Sequence, residues 1–123
     1  MESIMPIITL EYTSNLSIDE KIRPFILETH RILVDIIKTD LRTCRSQIIK
    51  IADYVIGDGD AKNASIVLAI RMLPGRSDET KHQLGKILLD KIHRDFSDEI
   101  KKYDTQVRVS LTETDKKHYY GLE

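Results

Sequence analysis

The placement of arginines offers the clearest chemistry in this sequence. Arg76 follows the turn Pro74-Gly75 and precedes Ser77, which has the character of a helix N-cap. The free N–H groups and positive dipole of a helix N-terminus attract anions, and the planar guanidinium fork suits a carboxylate. The position therefore predicts a carboxylate-binding arginine. The simpler interpretation is a surface arginine that pairs with Asp78 or Glu79.

Other residue types that commonly carry chemistry are scattered. Arg45 and Arg108 lie before or within predicted strands, where a lone arginine is usually solvated. His82 and His93 share roughly one helix face but stand about three turns apart, which favours solvated histidines over a metal pair. The sequence has no phosphate-binding glycine-rich loop, no nucleophile elbow and no clustered metal ligands. We therefore expect no metal site.

The first part of the chain predicts a strand followed by a helix. Residues from Ile4 to Tyr12 are mostly apolar or β-branched, as in a strand. Ser17 and Glu20 have the spacing of a capping box, and apolar residues at helical spacing behind them predict a helix over residues 18–38. Pro24 lies inside that span and predicts either a kink or a later start of the helix.

The rest of the chain repeats this order of elements. Residues Gln47–Ile56 predict a second strand, which ends at a glycine-aspartate turn. Residues Ser65–Met72 predict a third strand, and Ser77 begins a helix whose apolar stripe continues to Ile100. Residues Gln106–Thr112 alternate apolar and polar side chains and predict the last strand.

Two β-α-β units in tandem are the resulting fold prediction. The pseudo-repeats cover about residues 5–60 and 65–113 of a single domain spanning residues 1–123, with residues 1–4 as a leader. Strands joined by a helix run parallel, so we expect an α+β fold of two layers. It has a four-stranded sheet with both helices on one face. The uncovered face of such a sheet predicts self-association.

Composition limits the class of protein. The 123 residues are 41% hydrophobic and 32% charged, which is enough apolar mass for one domain. Lys and Arg number 19 against 20 Asp and Glu, a net charge of -1, so neither nucleic acid nor a membrane is an expected partner. No apolar run reaches roughly 20 residues, the N-terminus lacks the features of a secretory signal, and Cys44 is the single cysteine. We expect a soluble, cytoplasmic protein.

Four segments together carry a family resemblance. They are Met5-Pro6-Ile7-Ile8-Thr9-Leu10-Glu11-Tyr12-Thr13-Ser14-Asn15-Leu16, Gly57-Asp58-Gly59, Gly75-Arg76-Ser77-Asp78-Glu79 and Arg108-Val109-Ser110-Leu111-Thr112-Glu113. The first three, at this spacing, resemble the 5-carboxymethyl-2-hydroxymuconate isomerase family of the tautomerase superfamily. The unit that ends with the fourth is also similar to the shorter 4-oxalocrotonate tautomerase subunit. The resemblance covers the chain from Met5 to about Glu113.

The resemblance implies a fold, an activity and site residues. Members of the family have the doubled β-α-β fold, assemble as homotrimers and use no cofactor or metal. Their base is the secondary amine of an N-terminal proline, and their substrates are small 2-hydroxy or 2-oxo dienoic di- and tricarboxylates. Mapped onto this sequence, Pro6 is the implied catalytic base, and Arg45 and Arg76 are the implied substrate-binding residues. The most specific implied activity is 5-carboxymethyl-2-hydroxymuconate delta-isomerase.

The physical chemistry of a terminal proline agrees with that role. A free α-amine has a pKa of about 7.7–8.0, and burial and nearby arginines lower the pKa of such an amine. The neutral amine can then take a proton from one atom of the substrate and return it to another. Arginine forks would hold the carboxylates and stabilise the negative charge that develops on the dienolate.

Pro6 can act as a base only when no residue precedes it. Met1-Glu2-Ser3-Ile4-Met5 precedes it in this sequence, and the nitrogen of an internal proline is a tertiary amide without basicity. We expect translation to start at Met5, followed by removal of that methionine, and trimming of the leader is the other route. The alternative functions are another keto-enol tautomerase, or a non-catalytic trimeric binding module if Pro6 stays internal.

Overall fold

The computed structural model describes residues 5–121, and its strands and helices alternate along the chain. The predicted leader, residues 1–4, lies outside the described residues. In order, the elements are β1 (Ile7–Thr13), α1 (Asp19–Ile37), β2 (Arg45–Ile51), β3 (Asn63–Met72), α2 (Asp78–Asp95), α3 (Ser97–Lys102) and β4 (Asp104–Glu113), with short 3-10 helices at Leu41–Thr43 and Lys116–His118. No helix in this part of the chain is long and apolar enough to cross a bilayer.

The strands form a four-stranded sheet in the order β2-β1-β3-β4. β1 is parallel to β2 and β3 is parallel to β4, and the two pairs join through the antiparallel neighbours β1 and β3. Each parallel pair is connected by a helix, because parallel neighbours require a long crossover. The predicted tandem β-α-β fold, with a four-stranded sheet and two main helices, is therefore confirmed.

Alternation along the strands gives the sheet a covered face and an open face. The covered face packs on the helices and includes Ile8, Leu10, Ile66, Leu68 and Ile70, which are fully buried with Leu33 of α1 and Leu84, Leu88 and Ile92 of α2. The open face carries the alternate residues, namely Ile7, Thr9 and Glu11 of β1, Arg45, Gln47 and Ile49 of β2, Ser65, Val67, Ala69 and Arg71 of β3, and Gln106, Arg108, Ser110 and Thr112 of β4.

The start of α1 differs from the predicted capping box. The helix begins at Asp19 with Ile18 at the N-cap, and no side chain caps it. Ser17 instead donates its backbone N–H to the Oε1 atom of Glu99 at 2.7 Å. Pro24 lies within α1, so the predicted later start is wrong. The hydrogen bond that a proline removes is tolerated here because the apolar stripe of α1 is buried against the sheet.

The second strand is earlier and shorter than Gln47–Ile56. β2 covers Arg45–Ile51 and therefore includes Arg45 at its first position. Its extent follows its partner, since Ile7 pairs with Arg45 and Thr13 pairs with Ile51 at the two ends of β1. Residues beyond Ile51 have no neighbouring strand with which to continue the hydrogen-bond ladder, although their composition favours a strand.

The second predicted helix is confirmed at its start and interrupted near its end. Ser77 is the N-cap of α2, and its Oγ accepts a hydrogen bond from the backbone N–H of Thr80 at 3.1 Å. The apolar stripe predicted to continue to Ile100 is divided at Phe96, which separates α2 from α3. Phe96 is fully buried and its ring centroid lies 5.0 Å from that of Phe25, so packing fixes this residue outside helical geometry. The alternation of β4 is confirmed.

The two serines give a matched test of helix capping. We expect Ser77→Ala to lower the free energy of unfolding by about 1 kcal/mol, because the N–H of Thr80 loses its acceptor. Ser17→Ala should change it by less than about 0.5 kcal/mol, because the Ser17 side chain caps no helix. Urea titration of both variants measures the difference. An equal loss in the two variants would show that Ser17 caps α1.

Candidate active site

Pro6 lies directly before β1, in a small cavity at the end of the sheet. The cavity has a volume of about 130 Å³ and is enclosed by the strand ends, the C-terminal end of α1 and the loop before α2. Its lining residues are Met5, Pro6, Ile37, Lys38, Thr39, Asp40, Thr43, Met72, Leu73 and Arg76. Pro6 is buried, and its carbonyl accepts a hydrogen bond from the backbone N–H of Arg45 at 3.3 Å. The first residue pair of the β1–β2 ladder therefore positions Pro6.

Backbone carbonyls hold the guanidinium of Arg76. Its Nε and Nη2 atoms donate to the carbonyl of Ile37 at 3.3 and 2.9 Å, and its Nη1 atom donates to that of Leu73 at 3.0 Å. The simpler interpretation, in which it pairs with Asp78 or Glu79, is wrong. Arg76 turns back to the end of α1, where the last carbonyls lack helical partners.

Arg76 shares the cavity of Pro6. A guanidinium carries five N–H groups, and three hydrogen bonds to carbonyls engage three of them here. Arg76 therefore ties the end of α1 to the loop before α2 and retains donors for an anionic ligand in the same cavity.

The acidic side chain of this cavity, Asp40, already has a partner. Its Oδ2 accepts from Nη2 of Arg42 at 3.0 Å, and its Oδ1 accepts from the backbone N–H of Arg42 at 3.0 Å. These hydrogen bonds hold the pKa of Asp40 below its usual range. Burial raises the pKa of the nearby Cys44 thiol, which favours a neutral thiol rather than a nucleophilic thiolate. Neither group is poised as a base.

Arg45 lines a different cavity, on the open face of the sheet. That cavity has a volume of about 240 Å³ and is lined by Ile7, Thr9, Arg45, Gln47, Ala69, Arg71 and Thr112. The two arginines mapped from the resemblance are therefore separated. Arg76 lies with Pro6 at the end of the sheet, whereas the Arg45 side chain lies on the open face and only its backbone contacts Pro6.

Arg71 is the candidate residue that sequence reasoning missed. The register pairs Ile7 with Arg45 on one side and with Arg71 on the other, so two arginines flank one isoleucine on one face. Arg71 was inside a predicted strand, but nothing in its local sequence indicates that β3 lies next to β1. Placing β3 antiparallel to β1 in the correct register would have revealed the pair.

Arg108 lies apart from both cavities. It is on the open face of β4 beside Val67, and its Nη1 atom donates to the carbonyl of Val107 at 3.1 Å. The lining of the two cavities that contain Pro6 and Arg45 does not include it. The interpretation of Arg108 as a solvated strand residue agrees with this position.

A larger cavity of about 380 Å³ lies near the start of α1, and its charged groups neutralise one another. Asp19 accepts hydrogen bonds from the hydroxyl of Tyr12 at 2.7 Å and from Lys50 at 2.9 Å. These bonds hold the pKa of Asp19 below its usual range, while burial and Asp19 raise the pKa of Tyr12 to about 12. The network joins α1 to the sheet and offers no base near neutral pH.

The histidines do not assemble a site. Within residues 5–121, no group of three or more His, Cys, Asp or Glu side chains could hold a metal ion. His82 and His93 are exposed on α2, as the sequence indicated. His30 is half-buried on α1, where its Nε2 atom and the Oγ of Ser46 are hydrogen-bonded at 2.7 Å. Burial lowers the pKa of His30.

Several solved structures share the doubled β-α-β fold of this chain. A crystal structure of a 5-carboxymethyl-2-hydroxymuconate isomerase from Deinococcus radiodurans R1 matches with a TM-score of 0.84 at 22% identity, over 96% of this chain and 89% of that chain. A fused 4-OT described as a symmetric trimer matches with a TM-score of 0.76 at 17% identity, over 95% and 93% of the two chains. A macrophage migration inhibitory factor-like protein from Entamoeba histolytica matches with a TM-score of 0.68 at 14% identity, over 96% and 95%. These similarities show the shared fold.

The sequence comparison with protein families identifies the chain more closely. The family described as CHMI, 5-carboxymethyl-2-hydroxymuconate isomerase, matches residues 6–121. None of the individual curated sequences matches. Because the family match covers nearly the whole chain, the chain belongs to the 5-carboxymethyl-2-hydroxymuconate isomerase family, and it is an isomerase. The predicted family is confirmed.

His30 generates a pH dependence of stability. Its pKa in the folded state lies below the ordinary value of 6.5, so the unfolded chain binds a proton more tightly. The contribution of His30 is therefore fully present above about pH 6.5 and is lost as the pH falls through the folded-state pKa. We expect His30→Gln to lose less stability than the parent chain between about pH 8 and pH 5, measured by urea unfolding. His82→Gln, at an exposed histidine, is the control and should follow the parent. Identical pH profiles of His30→Gln and the parent would contradict this role.

Proposed function

We propose that this isomerase shifts a proton within a 2-hydroxy or 2-oxo dienoic carboxylate without a cofactor, most specifically as a 5-carboxymethyl-2-hydroxymuconate delta-isomerase of the cytoplasm. The observation that carries the proposal is that Pro6 and Arg76 line one cavity. Arg45 is the first residue of β2, and its backbone N–H donates a hydrogen bond to the carbonyl of Pro6. Family membership supports this enzymatic function over a non-catalytic binding module.

Pro6 is the proposed base, in a chain of which it is the first residue. An amide-linked proline nitrogen is not basic, so Met5 must be removed. The family match begins at Pro6, which supports a functional chain that starts there. Met5 is only 4% exposed and lines the cavity of Pro6. Its removal would open space for a substrate beside the proline nitrogen.

The proposed reaction divides its tasks between the proline and the arginines. The Pro6 amine takes a proton from one substrate atom and returns it to another, a contribution typically on the order of 10²–10⁴-fold. Arg45 and Arg76 bind the carboxylate and carbonyl groups of a small anionic di- or tricarboxylate. Their charge also stabilises the dienolate that forms between the two proton transfers.

A homotrimer is the proposed assembly. The open face of the sheet carries apolar side chains, among them Ile49 and Val67, and neither α1 nor α2 covers it. Contact between copies through this face would remove that surface from water. Two proteins of similar fold are described as symmetric trimers, which supports the same arrangement here.

A chain that begins at Met5 tests the base directly. We expect removal of Met5 to make Pro6 the first residue. The resulting chain should ketonise a 2-hydroxydienoate, which is measured by ultraviolet absorbance. Pro6→Ala in the same chain should lower kcat on the order of 10²–10⁴-fold, because the positioned secondary amine is lost. The matched control keeps residues 1–5, as verified by intact mass, and should be inactive because Pro6 is then an amide. Unchanged turnover in Pro6→Ala would remove Pro6 from the mechanism.

A covalent probe provides a second readout for the same chains. A protein of similar fold, 19% identical to this chain, is described as inactivated by 2-oxo-3-pentynoate. A neutral amine adds to an alkyne conjugated with a ketone, so the chain starting at Pro6 should gain the mass of one reagent molecule at residue 6. N-terminal sequencing of protein from its own cell that reads Met1 or Glu2 first would contradict the proposed base.

The substrate assay separates the two enzymatic candidates. Turnover of 5-carboxymethyl-2-hydroxymuconate supports the specific activity. Turnover of simpler keto-enol acids alone would instead support another tautomerase with the same base.

The open face can be tested for its role in assembly. We expect light scattering to give a mass near three times the 14.2 kDa chain mass. Val67→Glu should reduce that mass, because it replaces an apolar side chain of the open face with a second carboxylate beside Glu11. Leu27→Glu is the matched control, since Leu27 is 56% exposed on α1, and it should remain trimeric. A trimer unaffected by Val67→Glu would exclude this face as the interface.

A further inference from the structure

Two arginines share one cavity on the open face of the sheet. Arg45 on β2 and Arg71 on β3 both pair with Ile7 of β1, so they lie in the same row across three adjacent strands. Strands are about 4.8 Å apart, which places the two backbones roughly 10 Å from each other. Both side chains line the cavity of about 240 Å³ above Ile7. This separation leaves room for one small anion between two guanidinium groups.

The charge of this cavity is not balanced by the sheet. Within residues 5–121, neither Arg45 nor Arg71 forms an ion pair, whereas Lys50, Lys81 and Lys102 do. On the open face of β1 the carboxylate is Glu11, four residues along the strand from Ile7, or roughly 13 Å. That distance exceeds the Debye length of about 8 Å at physiological ionic strength. Dissolved ions therefore screen the attraction between Glu11 and the two arginines, and Glu11 offsets their charge only weakly.

We propose that Arg45 and Arg71 together form a clamp for one carboxylate of the substrate, with Arg71 as a binding residue of the active site. The inference rests on the proposed function and deepens it. Guanidinium groups bind carboxylates through short, charge-assisted hydrogen bonds, and two of them can each donate to the two oxygens of one carboxylate. Burying two unpaired guanidiniums between subunits would cost several kcal/mol per ion, so an anion is the matching occupant of this end of the face.

The position of the clamp relative to Pro6 is compatible with the proposed substrates. Ile7 follows Pro6 directly, with about 3.8 Å between their Cα atoms, so an acid held over Ile7 is within reach of the proline nitrogen. Arg76 lies in a different cavity, which Pro6 itself lines. A substrate with two separated carboxylates can engage both arginine sites, whereas a monocarboxylate can engage one. The clamp therefore adds a contact for the dicarboxylates already proposed as substrates.

Substitution of Arg71 tests the clamp in the chain that begins at Met5. We expect Arg71→Gln to raise KM for a 2-hydroxydienedioate about 10- to 100-fold, with a smaller change in kcat, and Arg71→Lys to restore part of the loss. Arg108→Gln, on the same open face but outside the cavity, should leave KM within about twofold. An unchanged KM in Arg71→Gln would overturn the proposal.

A double-mutant cycle tests whether the two arginines act on one carboxylate. If they share it, the loss in Arg45→Gln/Arg71→Gln is smaller than the product of the two single losses, because the second substitution removes a contact already weakened. Arg71→Gln/Arg108→Gln should be multiplicative, since these residues share no ligand. Multiplicative losses in the Arg45 and Arg71 cycle would show two independent sites and overturn the clamp.

A binding measurement separates failure of the clamp from failure of the proposed function. Adipate, a saturated dicarboxylate, cannot react, and its affinity is measured by calorimetry with the parent chain and with Arg71→Gln. Weaker adipate binding in Arg71→Gln supports the clamp even if no dienoate is turned over. Turnover that depends on Pro6, with adipate affinity unchanged by Arg71→Gln, would overturn the clamp and leave the isomerase in place.

Discussion

The antiparallel pairing of β1 with β3 is the constraint on which the rest of the structure depends. It joins two β-α-β units into one sheet and makes β1 a central strand with a neighbour on each side. Residues at the start of β1 therefore lie beside residues that are distant in sequence. A shift of one residue in this register would move Arg71 to the covered face, where an unpaired charge is very costly. Burial of Ile66, Leu68 and Ile70 opposes such a shift.

The end of the sheet that contains Pro6 combines a packed side with an accessible side. On the packed side, Arg76 connects the last turn of α1 to the loop before α2 through carbonyls of Ile37 and Leu73. On the accessible side, Arg45 and Arg71 are exposed, and among the described residues neither guanidinium donates to a backbone carbonyl. The three arginines thus lie in two different cavities, and Arg76 shares one of them with Pro6. One is mainly fixed by the fold, and two are available to a ligand.

The sequence predicted the elements that depend on local patterns and missed those that depend on distant partners. The alternation of β4 and the Ser77 cap are local, and both are present. The Ser17 cap failed because Glu99, far along the chain, takes the Ser17 N–H. The strand after α1 was placed too late because the length of β1 sets its ends.

The same distinction explains the site. The position of Arg76 before a helix N-cap already predicted a carboxylate-binding residue, and the family resemblance added Pro6 and Arg45. The structure places Pro6 and Arg76 in one cavity. Arg71 has no local signal of function, since an arginine near the end of a strand is ordinary. Its significance appears only when the order and register of the strands are known.

The carbonyl bonds of Arg76 have a consequence for substitution at this position. Substitution of Arg76 would also remove the hydrogen bonds that hold the C-terminal end of α1 to the loop before α2. The Arg71 side chain makes no such hydrogen bonds. It lies on the open face of β3, whereas the residues on the opposite face of this strand form the core. Substitution at position 71 would therefore disturb the fold less than substitution at position 76.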